Sequence, residues 1–176
     1  MAGSDVIGAA QQSLVAPVRP LADARVALQA AVGGAEQISL QAQRLGNAQV
    51  FAQASQIHGQ LKAAYSKLDA ANTTLQSAAG KASAAAAADN TDGIQQHLVQ
   101  AKSHAERAST TVAAVHAELK PLPAVVQRVL RNASPGPLAA AINTASSHLP
   151  TVLGLIGQAT QKVDETITQT RQTGNF

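Results

Sequence analysis

An apolar stripe of helical spacing runs through the centre of the chain and restricts its fold more than any other feature. From Val50, alternating steps of four and three residues meet an apolar side chain at every position as far as Ala82. Residues three and four apart share one face of an α-helix, so the spacing predicts a long amphipathic helix. The same steps find two more stripes, over residues 94–129 and 138–163. The pattern predicts an all-α protein.

The segment before Val50 has a less regular stripe. Gln11 and Arg25 interrupt it, and after residues 33–34 it shifts. Its apolar members are Ile7, Leu14, Val18, Leu21, Leu28, Val32 and Ala35, followed after the shift by Ile38, Ala42 and Leu45. We therefore predict a first helix with one buried face that includes Leu45.

Turn-forming residues divide the stripes into four helices of about 40 residues each. The breaks fall at residues 46–47, 89–92 and 132–137, which contain Gly, Asn, Asp and Pro. Because short connections make neighbouring helices antiparallel, we predict an elongated up-down-up-down four-helix bundle. It forms a single domain over residues 1–176, built from one hairpin over 5–88 and another over 92–173. The four helices are predicted over residues 5–45, 47–88, 92–132 and 136–173.

Composition agrees with a helical bundle and excludes several other classes of protein. There is no cysteine, so disulfides, thiolate metal sites and cysteine nucleophiles are excluded. Aromatic residues are 2% of the chain, which is unfavourable for an all-β fold. A hydrophobic content of 45% is typical of a globular chain, and with only 13% of residues charged bulk disorder does not fit. The abundant alanine predicts a thin core with close helices.

Helix-breaking residues recur at one level of the predicted bundle. Each hairpin begins with a helix that holds two nearby prolines, at residues 17 and 20 and at residues 121 and 123. When positions are counted along the antiparallel helices, Gly33, Gly59, Pro121 and Pro150 fall within a few residues of one height. Three interpretations stay open: kinks that neighbouring helices accommodate, a hinge, or a cavity for a ligand.

No catalytic or cofactor motif is present, so we expect neither an enzyme nor a bound cofactor. The chain lacks a Walker loop, G-x-S-x-G, H-E-x-x-H and an EF-hand loop. His58, His116 and His148 fall near the level of the helix breakers, but each lies one position outside an apolar stripe. His58 and His148 also lack the nearby carboxylates of di-metal bundles, so we predict no metal site.

The charge pattern gives no sign of a nucleic-acid partner. The net charge is +3, and the basic residues are spread over the predicted helices. No apolar run is long enough for a membrane span, and the first residues lack the order of a signal peptide. We therefore expect a cytoplasmic protein, with export that needs no cleaved signal as the other route.

Two short segments resemble known protein families. Residues 65–69, with Tyr65 and Asp69, have the form Y-x-x-x-D and resemble the export signal of type VII secretion substrates, which are helical hairpins of actinobacteria. This chain departs from that family because it has no tryptophan for the Trp-x-Gly turn. The tail, GPLAAAIN at residues 136–143 and KVDETITQTRQTGN at residues 162–175, resembles uncharacterised alanine- and glutamine-rich helical proteins of actinobacteria. These resemblances imply a helical fold and a possible export signal at Tyr65 and Asp69.

The sequence favours a protein that acts through contacts and not through catalysis. The first hypothesis is an adaptor or structural module that binds another helical protein or a second copy of itself. It predicts apolar residues outside the stripes, for which Val99, Val125 and Leu153 are candidates. The alternative is a carrier that holds an apolar small molecule at the level of the helix breakers. A third hypothesis is a protein associated with type VII secretion.

Overall fold

The described residues form an all-α bundle in which four rods are built from six helices. The protein was analysed as a computed structural model that describes residues 2–173. The helices are α1 (Ala2–Val15), α2 (Val18–Arg44), α3 (Ala48–Ala86), α4 (Thr91–Leu119), α5 (Leu122–Val129) and α6 (Gly136–Thr173). The first rod is α1 with α2, the second is α3, the third is α4 with α5, and the fourth is α6. Residue 1 and residues 174–176, which belong to the predicted domain and tail, lie outside the described part.

Each rod packs against two neighbours, which gives the bundle a square cross-section. In the described residues α2 packs on α3 and α6, and α4 packs on the same two helices, whereas α2 and α4 make no extensive contact. Cross-helix pairs give the direction: Arg25 contacts Asp69 and Ser39 contacts Ser55, and the residue numbers of both pairs have the same sum. Because one number rises as the other falls, the first two rods are antiparallel, as the short connections predict.

The predicted apolar stripes form the core. The stripe of α3 is buried from Ala54 to Ala82, and those of α4 and α6 are buried along the predicted faces. Alanine is the most numerous buried apolar type among the described residues, and no aromatic side chain is fully buried there. Small side chains allow helices to pack closely, whereas the leucines between them fill the remaining volume.

Both proline pairs interrupt their rods, so two predicted helices are each divided in the structure. The first rod is broken at residues 16–17, between α1 and α2, and the third at residues 120–121, between α4 and α5. A proline lacks the backbone N–H that a helix interior requires, and its ring clashes with the preceding turn. The third rod also ends earlier than predicted, because α5 stops at Val129 and a loop follows. Ser134 in that loop has a φ of 50°.

The predicted helix ends at residues 46–47 and near residue 90 are confirmed, but one predicted core residue is not. Gly46 has a φ of +67°, which suits the residue after a helix, and Asn47 caps α3 by accepting a bond from the N–H of Val50 at 3.1 Å. Asn90 caps α4 in the same way through the N–H of Gly93 at 2.7 Å. The prediction that Leu45 is buried is wrong: it is 75% exposed, because the helix ends there and the residue follows its last turn.

Candidate functional site

A groove lies on the bundle surface where the third rod is interrupted. It has a volume of about 400 Å³ and lies between α3 on one side and the junction of α4 and α5 on the other. Its lining residues are Gln60, Ala63, Ala64, Glu118, Leu119, Pro121, Leu122 and Val125. The size falls within the usual range of small-ligand pockets, and the shape is that of a furrow open to solvent.

The groove exists because α5 keeps only one of the two neighbours of α4, namely α6. Along its length α4 packs against α3, whereas α5 packs mainly against α6 and touches α3 only slightly. The change of direction comes at Pro121, which leaves α3 partly uncovered beside α5. Pro123 occupies the first turn of α5, where a missing N–H costs no hydrogen bond. The proline pair thus both ends α4 and starts α5 in a new direction.

The floor of the groove is apolar and its rim is polar. Ala64 and Leu119 are almost fully buried beneath it, and Leu122 is 8% exposed. At the rim, Gln60 and Glu118 are exposed. An oxygen of Glu118 accepts a hydrogen bond from the Nζ of Lys67 at 2.5 Å, which holds this carboxylate against α3. Such a surface suits an apolar group bound flat against alanines, with polar partners at its edge.

The four helix breakers occupy different environments in the structure. Pro121 lines the groove, and Gly59 directly precedes a lining residue on α3. The chain stays helical through Gly33, Gly59 and Pro150, so among these four only Pro121 interrupts a helix. By the register of the first two rods, Gly33 and Gly59 lie within about 3 Å of one height. Pro150 is exposed on α6. The interpretation of this level as a cavity or a hinge stays a prediction.

Tyr65 and Asp69, the predicted export signal, are joined by one arginine of the neighbouring rod. The guanidinium of Arg25 donates a hydrogen bond to Oδ1 of Asp69, and its carbon lies 5.6 Å from the centre of the Tyr65 ring. The Arg25 side chain is 24% exposed, so its stem is largely covered. The charge that interrupts the apolar stripe of the first rod is therefore paired across to α3. A role in export stays a prediction.

We expect Arg25→Ala to lower the free energy of unfolding by about 1–2 kcal/mol, because it removes a cation–π contact and a charge-assisted hydrogen bond from a largely covered arginine to an exposed carboxylate. Urea unfolding followed by circular dichroism measures this. Lys67→Ala is the control, since the Lys67–Glu118 pair is 46% exposed on both sides and such pairs contribute roughly 0–1 kcal/mol. Equal effects of the two substitutions would contradict a structural role for Arg25.

A second furrow lies on the other side of α3, next to the Arg25 contact. Its volume is about 320 Å³, and its lining combines Gln29, Val32, Glu36, His58, Lys62 and Tyr65. The three histidines near one level do not come together as a metal site: His58 lines this furrow, while Nδ1 of His116 lies 3.4 Å from Oγ of Ser146. Within residues 2–173 no group of three or more His, Asp or Glu has the geometry to hold a metal ion.

The ion pair between Lys102 and Asp164 raises the pKa of the lysine. The hydrogen bond from Nζ of Lys102 to Asp164, at 2.7 Å, raises the pKa of this lysine above its ordinary value of 10.5, with smaller contributions from the charges of Asp164 and Glu106. Since a raised pKa means that the folded state binds the proton more tightly, the contribution to stability is fully present below pH 10.5 and is lost as the pH rises through the higher pKa of the folded state. The pair connects α4 to α6, and neither residue lines the groove.

The apolar residues predicted to lie outside the stripes differ in exposure. Val99 is 49% exposed, whereas Val125 and Leu153 are half-buried, and Leu153 packs against the core. Val125 also lines the groove. Sequence reasoning found Pro121 and Val125 but missed the α3 side of the groove. Ala63 carries no signal of its own, because alanine occurs on every face of these helices, and the apolar stripe marks Ala64 only as a core residue.

Comparison with known proteins returns no relative for this chain. No protein-family model, no curated protein and no solved structure matches it. In the described residues no helix is long and apolar enough to cross a membrane.

Proposed function

We propose that the protein is a non-enzymatic adaptor whose groove beside Pro121 binds an apolar helix face of another protein or of a second copy. The observation that carries the proposal is the combination of a buried alanine and leucine floor with a polar rim, in a furrow between two helices. Helix-in-groove recognition uses such surfaces, since a few apolar anchors of the partner fill the furrow. Small residues at Ala63 and Ala64 allow the partner helix to approach closely.

The groove also supports a second function, a carrier for an apolar small molecule. Its volume of about 400 Å³ suffices for a ligand of a few hundred daltons. The two functions use the same residues and differ in the occupant. Native mass spectrometry of the protein purified gently from its host separates them. A stoichiometric protein adduct or a dimer supports the adaptor, and an added mass of a few hundred daltons supports the carrier. A bare monomer under conditions that preserve other complexes contradicts both as stable states.

Filling the groove is the direct test of its role. We expect Ala63→Arg to abolish at least nine-tenths of the adduct seen in native mass spectra, because a long charged side chain replaces an exposed methyl at the furrow wall. Ala70→Arg is the matched control. It adds the same charge on the same side of α3, two turns and about 10 Å away, at another exposed alanine outside the lining.

The free energy of unfolding of both variants is expected to lie within about 0.5 kcal/mol of that of the unmodified protein. Both sites are exposed, and arginine is a good helix former. Retention of the adduct by Ala63→Arg, or its loss in both variants, would place binding elsewhere on the bundle.

A further inference from the structure

Three arginines come together at one end of the bundle, although they are far apart in the sequence. Arg44 is in the last turn of α2, Arg128 is in the last turn of α5, and Arg131 is in the loop that follows. The α2–α3 turn and this loop meet, because Leu45 and Asn132 line the same small furrow. All three arginines are exposed, and none forms an ion pair within the described residues.

No acidic residue balances these charges. Residues 37–57 and 121–137, which contain the α2–α3 turn, the α5–α6 loop and the helix segments next to them, include no Asp or Glu. All ten acidic residues of the sequence lie outside these two segments. The Lys and Arg residues outside them, which include Lys120, also number ten. The three arginines therefore account for the whole net charge of +3. The folded protein is electrically asymmetric along its axis.

The same end exposes large apolar side chains. Leu45 is 75% exposed, Leu40 is 47% exposed and Phe51 is 37% exposed. Leu45 follows the last turn of α2, and Phe51 lies in the first turn of α3 and lines a shallow furrow with Gly46 and Asn47. The apolar residues thus surround the α2–α3 turn, which is the outermost point of the first hairpin.

We propose that this arginine end, formed by Arg44, Arg128, Arg131, Leu45 and Phe51, docks on the surface of a bilayer that contains anionic phospholipid. Arginines attract the negative headgroups, and a leucine and a phenylalanine at the turn enter the boundary between headgroups and acyl chains. The net positive charge of the protein is confined to the docking end, so the attraction also orients the bundle with its axis away from the surface.

An anionic bilayer fits this end better than a nucleic acid or an acidic protein. A nucleic-acid surface of this size usually has more cations along a stripe and stacking aromatics, and here Phe51 is the one exposed aromatic side chain among the described residues at this end. Exposed leucines on a convex turn suit a soft interface into which they can insert. Along α3 the groove beside Pro121 lies about 24 Å from the turn, whereas on α5 Arg128 follows the groove residue Val125 by about one helical turn.

Vesicle co-sedimentation tests the charge requirement. We expect binding to vesicles of phosphatidylcholine with 30% phosphatidylglycerol, little binding to phosphatidylcholine alone, and a decrease as salt rises. The triple variant Arg44→Gln, Arg128→Gln and Arg131→Gln is expected to bind about 100-fold more weakly, since each basic residue near an anionic surface contributes about 1 kcal/mol.

The matched control is Arg19→Gln, Arg107→Gln and Arg171→Gln. It removes the same charge from three exposed arginines outside the docking end. Equal loss in both triple variants would show that net charge alone matters and would overturn the proposal, as would equal binding to neutral vesicles.

Fluorescence tests the insertion of the turn. The chain has no tryptophan, so Phe51→Trp introduces a single reporter. We expect its emission to shift to the blue by about 10 nm when anionic vesicles are added. Val99→Trp, at a residue of similar exposure on α4, is expected to show no shift. No shift in Phe51→Trp, or tight binding of an oligonucleotide by a protein that does not bind vesicles, would overturn the proposal.

Discussion

Leu68→Ala is expected to lower the free energy of unfolding by about 3 kcal/mol, the largest loss that we predict for a single substitution. Leu68 is fully buried in α3. The register of the first two rods places it between Ala24 and Leu28 of α2. In this core leucines and alanines alternate along α3, so the alanines beside a truncated leucine are too short to fill the cavity. When the cavity cannot collapse, the loss of stability includes the full cost of the cavity in addition to the lost burial of the leucine side chain.

Urea unfolding gives the free energy, and thermal unfolding is expected to show a decrease in Tm of about 9 °C. Val26→Ala is the control, because Val26 is 68% exposed on α2 and truncation there removes little contact. It is expected to change stability by less than about 0.5 kcal/mol. A loss below about 1 kcal/mol for Leu68→Ala would mean that the core repacks easily, which contradicts a closely packed bundle.

The repeating part of the fold could be predicted from sequence because its signal is local. Residues three and four apart share a helix face whatever the rest of the chain does, so the stripe from Ala54 to Ala82 predicts its own burial. Gly46 and Asn47 have equally local signals, a left-handed backbone and a side-chain cap. Leu45 lies next to them and was predicted wrongly, since periodicity alone does not show where the buried face ends.

The candidate sites could not be predicted to the same degree, because they depend on which rods meet. The interruption at Pro121 is visible in the sequence, but the groove also requires α5 to pack on α6 and to leave α3 uncovered. The arginine end is a similar case. Counted helix by helix the basic residues are spread along the chain, and the grouping of Arg44 with Arg128 and Arg131 follows only from the antiparallel order of the rods. Counted by height along the bundle, the charge is not dispersed.

Pro150→Ala is expected to raise the free energy of unfolding by about 2 kcal/mol and the Tm by about 6 °C. Proline inside a helix destabilises the folded state by about 3 kcal/mol relative to alanine. Proline also lowers the conformational entropy of the unfolded chain, which offsets this cost by up to about 1 kcal/mol. Pro150 lies in the interior of α6 and its ring is exposed, so its removal sacrifices little packing. Leu149 and Val152 on either side are buried and hold the helix in place.

Gly154→Ala is the matched control for this helix. Its position is exposed, an added Cβ meets no atom within 4 Å, and the gain is expected to be about 1 kcal/mol from propensity alone. Thermal unfolding of the two variants and the double variant measures both gains and their additivity. Destabilisation by Pro150→Ala, with the expected gain for Gly154→Ala, would show that the neighbouring rods require a bend at Pro150. In that case Pro150 would stabilise the packing of α6 against α2 and α4, because a straight helix would separate buried faces that the bend keeps in contact.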